Sequence, residues 1–290
     1  MAESQIVENL VAAERLLVAG EDEYARDILS RLAEDLEEYV DRNCPTTDEQ
    51  QWFSFPTIFE RLAYRRVEED PRELLDVGEP FDRVYADLAF ACVRLGDYDA
   101  ATEALKQAVR WNPMDCGYRL DLGELFRSAG NMSEYLALSF SVFERASHAA
   151  HIVRAYLNFA GYFQQLGRPK VQAAGLRAAR RIDPDADGVK AALRIVAGTD
   201  ADPDTLTDAQ AAAELAGEGL PEGANAEVAV CLLMCASDAA ADGDRTLATE
   251  LTVRARDLVG APAAAALLEL IRGAGAEAPG QPEGGEPDAS

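Results

Sequence analysis

Three glycines recur at nearly constant spacing in the middle of the chain, and this spacing constrains the fold more than any other feature. Gly96, Gly130 and Gly167 lie 34 and then 37 residues apart. Pro113 and Pro184 are 71 residues apart, which is the sum of those two intervals. Two independent markers therefore keep the same period, and a period of 34 residues or so indicates a repeated structural unit.

The first unit, FDRVYADLAFACVRLGDYDAATEALKQAVRWNP, indicates what is repeated. Apolar residues recur every three or four positions from about residue 82 to 95, which predicts an amphipathic helix. Gly96 and Asp97 then form a tight turn, because glycine tolerates the dihedral angles that such a turn needs. A second helix is predicted from Tyr98 to about Trp111, and Pro113 ends it. The unit is therefore a hairpin of two antiparallel helices.

This pattern resembles the tetratricopeptide repeat (TPR) family, whose repeat reads Trp-x2-Leu-Gly-x2-Tyr, then Ala-x3-Phe, then Pro. The residues that fill those places in the first unit are Tyr85, Leu88, Ala89, Cys92, Ala101, Leu105 and Pro113. The second unit departs from the pattern, since Tyr135 and Ser139 occupy the later Ala and Phe places. More specifically, the chain is similar to bacterial TPR proteins of unassigned function. The resemblance implies an all-α fold, an α-solenoid of stacked helical hairpins in a right-handed superhelix.

The pattern divides the chain into five segments. We expect an acidic helical hairpin at 1–43, an aromatic linker with one helix at 44–81, three TPR-like repeats at 82–184, a further hairpin with capping helices at 185–273, and a disordered acidic tail at 274–290. In the linker, Trp52, Phe53 and Phe55 precede the helix, which is predicted from Pro56 to about Glu69. This aromatic cluster is expected to pack on the first repeat; a segment that fills a binding groove is the alternative.

Charge is distributed unevenly along the 290 residues, whose formal net charge is -25. Residues 1–50 carry 14 acidic and 4 basic side chains, and residues 185–290 carry 20 and 6. Residues 82–184 are instead slightly basic, with 13 basic and 11 acidic side chains. So acidic a chain repels nucleic acid and anionic membranes, and neither is expected as a partner. No signal peptide or membrane span is seen, so we expect a cytoplasmic protein.

No motif for catalysis, metal binding or a cofactor is present, so the chain is not expected to be an enzyme. The five cysteines form no disulfide framework and are expected to be small buried residues; they are Cys44, Cys92, Cys116, Cys231 and Cys235. The only histidines, His148 and His151, are expected to be exposed or to cap a helix. A polar pocket that holds either histidine beside a carboxylate would instead favour an enzyme.

In TPR proteins the first helix of each hairpin lines a concave groove that commonly binds a peptide. The resemblance therefore implies a non-enzymatic scaffold or adaptor, with a protein or peptide as its partner. The predicted peptide-binding residues are Arg83, Phe90, Arg94, Arg127, Arg154 and Asn158. Because arginine pairs with carboxylates through two hydrogen bonds, an acidic peptide is the ligand that this set favours. The alternative is a TPR sensor or regulator that responds to a small molecule or a peptide.

Overall fold

The computed structural model describes residues 5–276 and contains 14 α-helices within them. The first seven are α1 (Gln5–Ala19), α2 (Asp22–Asn43), α3 (Ile58–Glu68), α4 (Phe81–Leu95), α5 (Tyr98–Trp111), α6 (Cys116–Ser128) and α7 (Met132–Arg145). The other seven are α8 (Ala149–Gln165), α9 (Pro169–Ile182), α10 (Asp187–Val196), α11 (Asp208–Gly217), α12 (Ala226–Ala241), α13 (Arg245–Val259) and α14 (Ala261–Ala276). Residues 277–290 of the predicted acidic tail lie outside the described residues.

The hairpin turns are built with the same local chemistry. Gly96, Gly130 and Gly167 have φ angles of 79°, 80° and 66°, which is the left-handed region that glycine adopts without strain. After the first two turns, the side chains of Asp97 and Asn131 cap the next helix by accepting hydrogen bonds from backbone N–H groups of its first turn. The periodic glycines thus mark the reversals between α4 and α5, α6 and α7, and α8 and α9.

The hairpins stack in chain order. The second helix of each hairpin packs on the first helix of the next, so α2 contacts α4, α5 contacts α6 and α7 contacts α8. Small residues allow the two helices of a hairpin to approach closely: a Cβ atom added at Gly175 of α9 would lie 3.6 Å from the Cβ atom of Ala160 in α8. The prediction of an all-α solenoid of helical hairpins is confirmed.

The linker between α2 and α4 contains more structure than its sequence pattern indicated. Strand β1 (Gln50–Phe53) precedes α3 in the sequence and strand β2 (Glu73–Asp76) follows it. The two strands pair in parallel, and neither was predicted. Phe53 and Phe55 are buried, and their rings stack with centroids 4.7 Å apart. The backbone N–H of Ser54 donates to the carbonyl of Trp111 at 2.9 Å, which links this segment to the end of the first repeat. The Phe53 and Phe55 rings instead belong to the core cluster that contains Cys116 and Leu120 of α6.

The C-terminal part of the chain caps the stack and then doubles back along it. Helix α11 packs on α9, whereas α12 packs on α3 and α13 approaches α8. The backbone N–H of Asn225 donates to the carbonyl of Phe143 at the end of α7, 3.1 Å away. Arg66 of α3 also pairs with Glu227 of α12 at 2.9 Å. The last hairpin therefore lies beside the linker helix rather than at the far end of the stack.

All five cysteines are buried and free, as predicted. Burial raises the pKa of the Cys116 thiol to about 12, so this side chain is an uncharged, weakly reactive apolar group. His148 precedes α8 at its N-cap position, and its ring centroid lies 5.6 Å from that of His151. The His148 side chain makes no capping hydrogen bond there.

Candidate functional site: the first-helix face

We name five of the six predicted peptide-binding side chains the first-helix face, because they lie on the first helices of the three repeats and are partly exposed to solvent. They are Arg83, Phe90 and Arg94 on α4, Arg127 on α6 and Arg154 on α8. The aromatic residue Phe90 is 50% exposed, although it is a large apolar side chain. The four arginine side chains are 38–50% exposed. The face thus combines an apolar side chain with several guanidinium groups within reach of solvent.

The N-terminal hairpin supplies carboxylates to the two arginines of α4. Arg83 pairs with Glu14 of α1, and Nε of Arg94 lies 2.9 Å from Oδ2 of Asp22 at the start of α2. The sequence analysis named these arginines without identifying their carboxylate partners. The acidic hairpin neutralises them because it stacks directly on α4.

The two arginines further along the face also have partners within the chain. Arg127 pairs with Glu124 one turn earlier on α6, at 2.6 Å. Arg154 of α8 reaches across to Asp121 of α6 at 2.7 Å. Each of the four predicted arginines therefore already holds a carboxylate, and the face carries much less net positive charge than the list of arginines alone indicates.

Phe90 is held by its neighbour on the same helix. The guanidinium carbon of Arg94 lies 5.6 Å from the centroid of the Phe90 ring, which is within the distance of a cation–π contact. The aromatic ring and the charged group thus form one composite surface. Such a combination of an aromatic side chain with an arginine is typical of residues that dominate protein interfaces.

Asn158 differs from the other predicted residues because it takes part in packing between helices. It is half-buried, and its Nδ2 donates to Oγ of Ser139 in α7 at 3.0 Å. Ser139 is the buried residue that stands where the TPR pattern has Phe. This hydrogen bond replaces an apolar contact between α7 and α8 in the degenerate second repeat.

A carboxyl pair lies at the junction of α1 and α4, and the sequence-based prediction missed it. Burial, together with the nearby Glu14 carboxylate, raises the pKa of Asp87 to about 6. Its Oδ2 atom is buried and has no hydrogen-bond partner. The high acidic content of residues 1–50 was the available signal, because stacking of this hairpin on the first repeat brings carboxylates against α4.

Other chemistry is sparse in the part of the chain that the structure describes. Residues 5–276 hold no group of three His, Cys, Asp or Glu side chains arranged to bind a metal ion. Across the same residues, none of the helices combines the length and the apolar character needed to cross a membrane.

Comparisons with known proteins identify no family for this chain. No family model matches it, and no curated protein matches it. Among solved structures, it is similar to PilF of Pseudomonas aeruginosa, with 13% identity over 91% of this chain and 97% of that chain, and a TM-score of 0.44. BtubC of P. vanneervenii matches with 14% identity over 99% of both chains and a TM-score of 0.21. Structural similarity at this level supports no functional conclusion. The arrangement of the helices defines the class of the chain as a helical-repeat protein of TPR-like hairpins.

Proposed function

We propose that this protein is a non-enzymatic scaffold that binds an acidic segment of a partner protein along the first-helix face. The observation that carries the proposal is the half-exposed Phe90, which lies on the first helix of a repeat beside the guanidinium group of Arg94, and Arg94 already holds a carboxylate. A site that binds carboxylates of its own chain has the geometry to bind carboxylates of a ligand. The alternative, a sensor for a small molecule, has no observation of comparable strength.

Exchange of partners at this face costs little free energy where the ion pair is exposed. Solvent-exposed ion pairs contribute about 0–1 kcal/mol each, so a ligand carboxylate can replace an internal one at nearly equal free energy. Asp121, the partner of Arg154, is itself exposed and regains water when it is released. The ligand is therefore expected to bind Arg154 and Arg127 first.

Exchange is more costly at Arg94. The side chain of Asp22 is only 14% exposed, and its Oδ1 atom is buried without a hydrogen-bond partner. Removal of Arg94 from this carboxylate would leave a poorly solvated charge behind. The pair between Arg94 and Asp22 therefore holds the N-terminal hairpin against α4, and Arg94 contacts the ligand mainly through its stacking on Phe90.

Phe90 provides the apolar part of the binding energy. Complete burial of a phenylalanine side chain is worth about 1.5–3 kcal/mol, so a side chain that is already half covered gains roughly half of that. We therefore expect a ligand with an apolar residue between acidic ones. The acidic residues confer orientation, and the apolar contact contributes more to affinity.

The test is a pull-down from source-cell lysate with three baits, analysed by mass spectrometry. The wild-type chain is compared with a variant in which Arg127 and Arg154 are changed to Glu, because these two do not hold the N-terminal hairpin. A control variant changes Arg245 and Arg256 to Glu, since these two are exposed elsewhere and the change in net charge is identical. Circular dichroism first establishes that all three baits are folded.

The proposal predicts a partner that the first variant loses and the control variant retains. A peptide from its acidic segment should then bind the purified protein, and Phe90→Ala should weaken binding about fivefold. Tyr98→Ala is the matched control, because Tyr98 is an exposed aromatic residue on the second helix of the same hairpin. Partners that are identical for all three baits would contradict the proposal.

A further inference from the structure

A cavity of about 660 Å³ lies where the last hairpin meets the linker helix, far in sequence from the first-helix face. Its walls are the start of α3, the second half of α12 and α13. The apolar lining includes Phe59, Cys235, Ala239 and Leu251. This volume falls in the range of about 300–1,000 Å³ that is usual for ligand-binding cavities.

Two large apolar side chains at the rim of this cavity are exposed to solvent. Ile58 at the first position of α3 is 77% exposed, and Leu247 in the first turn of α13 is 40% exposed. They extend the apolar lining out to the surface. Since residues of this kind are normally covered, their position beside an open cavity indicates a surface that binds an apolar group.

The charged groups around the cavity are mostly acidic. Asp238, Asp242 and Glu250 line it and are exposed. In the first turn of α3, the Glu60 side chain accepts a hydrogen bond from the backbone N–H of Thr57 and offsets the positive end of the helix. The carbonyl end of α12 adds further negative potential at Ala241.

The one arginine that lines the cavity is already engaged with the protein. Arg254 donates to Oγ of Ser147 at 2.6 Å, and its guanidinium carbon lies 5.1 Å from the centroid of the Phe59 ring. Its side chain is only 15% exposed. Arg254 thus forms part of the floor, and its Nη1 lies 3.9 Å from Oε1 of Glu250, which is a long ion pair with an exposed carboxylate. Asp238 and Asp242 at the rim are not engaged by Arg254 and are available to attract a cation.

We propose that this acid-rimmed cavity, lined by Ile58, Leu247, Asp238, Asp242 and Glu250, binds a basic peptide segment with an apolar anchor. The apolar residue enters between α3 and α13, and lysine or arginine residues on either side pair with the carboxylates. The occupant is a segment of another protein. The tail of this chain, 277–290, carries only acidic charges and would be repelled, as would a second copy with a net charge of -25.

The probe is a fluorescein-labelled octapeptide, Gly-Lys-Arg-Leu-Leu-Arg-Lys-Gly, whose dissociation constant is measured by fluorescence anisotropy on the full chain. Two matched peptides replace the leucines with serines, or the basic residues with Glu and Asp. We expect the basic leucine peptide to bind roughly tenfold more tightly than either of them. Equal binding of the leucine and serine peptides, or no binding of the leucine peptide, would overturn the proposal.

Variants at the rim locate the site. Ile58→Ser and Leu247→Ser change exposed residues, so the fold is retained, and each should weaken binding about threefold to fivefold. The triple variant Asp238→Asn, Asp242→Asn, Glu250→Gln should weaken it roughly tenfold. The control Glu34→Gln, Asp35→Asn, Asp41→Asn removes the same charge from exposed positions of α2. If both triple variants lost the same affinity for the basic leucine peptide, net charge alone would explain the loss, and the proposed site would be refuted.

This inference is independent of the proposed function. Phe90→Ala lies outside the cavity and should leave the affinity for the basic leucine peptide unchanged. Failure of the first-helix face to capture a partner therefore does not affect the cavity, and the reverse also holds.

Discussion

The first-helix face and the acid-rimmed cavity differ in how many of their charged side chains form ion pairs within the chain. On the first-helix face, each arginine is paired with a carboxylate of the same chain, and one aromatic ring stays half exposed. At the cavity, Arg254 forms part of the floor and lies 3.9 Å from Glu250, whereas Asp238 and Asp242 at the rim face solvent. The first-helix face must exchange internal ion-pair partners to bind a ligand, whereas the cavity gains new ion pairs at two of its three rim carboxylates. The difference predicts a steeper salt dependence for binding at the cavity.

The largest expected difference between the two regions concerns their phenylalanines. Phe59 in the cavity wall is 2% exposed, so Phe59→Ala should lower the free energy of unfolding by about 3–5 kcal/mol. Phe90→Ala removes a half-exposed ring and should change it by less than about 0.5 kcal/mol. Urea denaturation followed by circular dichroism measures both. Similar losses for the two variants would mean that Phe90 is a packing residue rather than a binding residue.

Removal of an arginine should also lower the free energy of unfolding more at the cavity than at the first-helix face, but the difference should be smaller than for the phenylalanines. Arg254→Ala leaves Ser147 without its charged partner and should cost about 2 kcal/mol of stability. Arg154→Ala breaks an exposed pair and should cost less than about 1 kcal/mol. Thermal unfolding at low and high salt separates the two effects, because salt screens only the exposed pair strongly. A larger loss for Arg154→Ala would contradict the idea that its carboxylate partner is exchangeable.

A smaller effect is expected from pH at the edge of the first-helix face. The folded-state pKa of Asp87 is raised to about 6, so the protonated form is favoured by folding. Its stabilising contribution is present below pH 4 and is lost as the pH rises through about 6. Asp87→Asn should remove that part of the pH dependence, measured by urea denaturation between pH 4 and pH 7. Parallel curves for wild type and variant would show that this carboxyl does not titrate in that range.

The smallest expected effect is coupling between the two surfaces. Phe90 is not among the residues that line the cavity, whereas Leu247 is. The double variant Phe90→Ala, Leu247→Ser should therefore bind each probe as the relevant single variant does, within about 0.3–0.5 kcal/mol. Titrations of the acidic partner peptide and the basic leucine peptide on the four proteins form the thermodynamic cycle. A larger coupling would mean that the two regions communicate through the stack.

The hairpins could be predicted from sequence because their signals are local. A turn glycine, a capping Asp or Asn and apolar residues with helical spacing all act within one unit, as at Gly96 and Asp97. The strands β1 and β2 could not be predicted this way. Each has only four residues, and their parallel pairing depends on α3 bringing distant segments together.

The candidate sites were predictable only in part for a related reason. The helical repeat pattern places Arg83 and Phe90 on the first helix of a hairpin, where the structure has them. The carboxylates that pair with the arginines belong mainly to other helices, so their positions depend on how hairpins stack. The acid-rimmed cavity requires the chain to double back from α11 to α3, and no periodicity in the sequence encodes that return.

The return of the chain has a consequence for the order of folding. In an ordinary solenoid each repeat contacts only its neighbours, so repeats can fold one by one as they leave the ribosome. Here the pair of Arg66 and Glu227 joins residues 161 positions apart, and α12 covers the linker helix α3. Until synthesis has passed residue 241, the part of α3 that α12 contacts has no cover. A stalled or truncated nascent chain would therefore expose this surface to chaperones and proteases even though its repeats are already stacked.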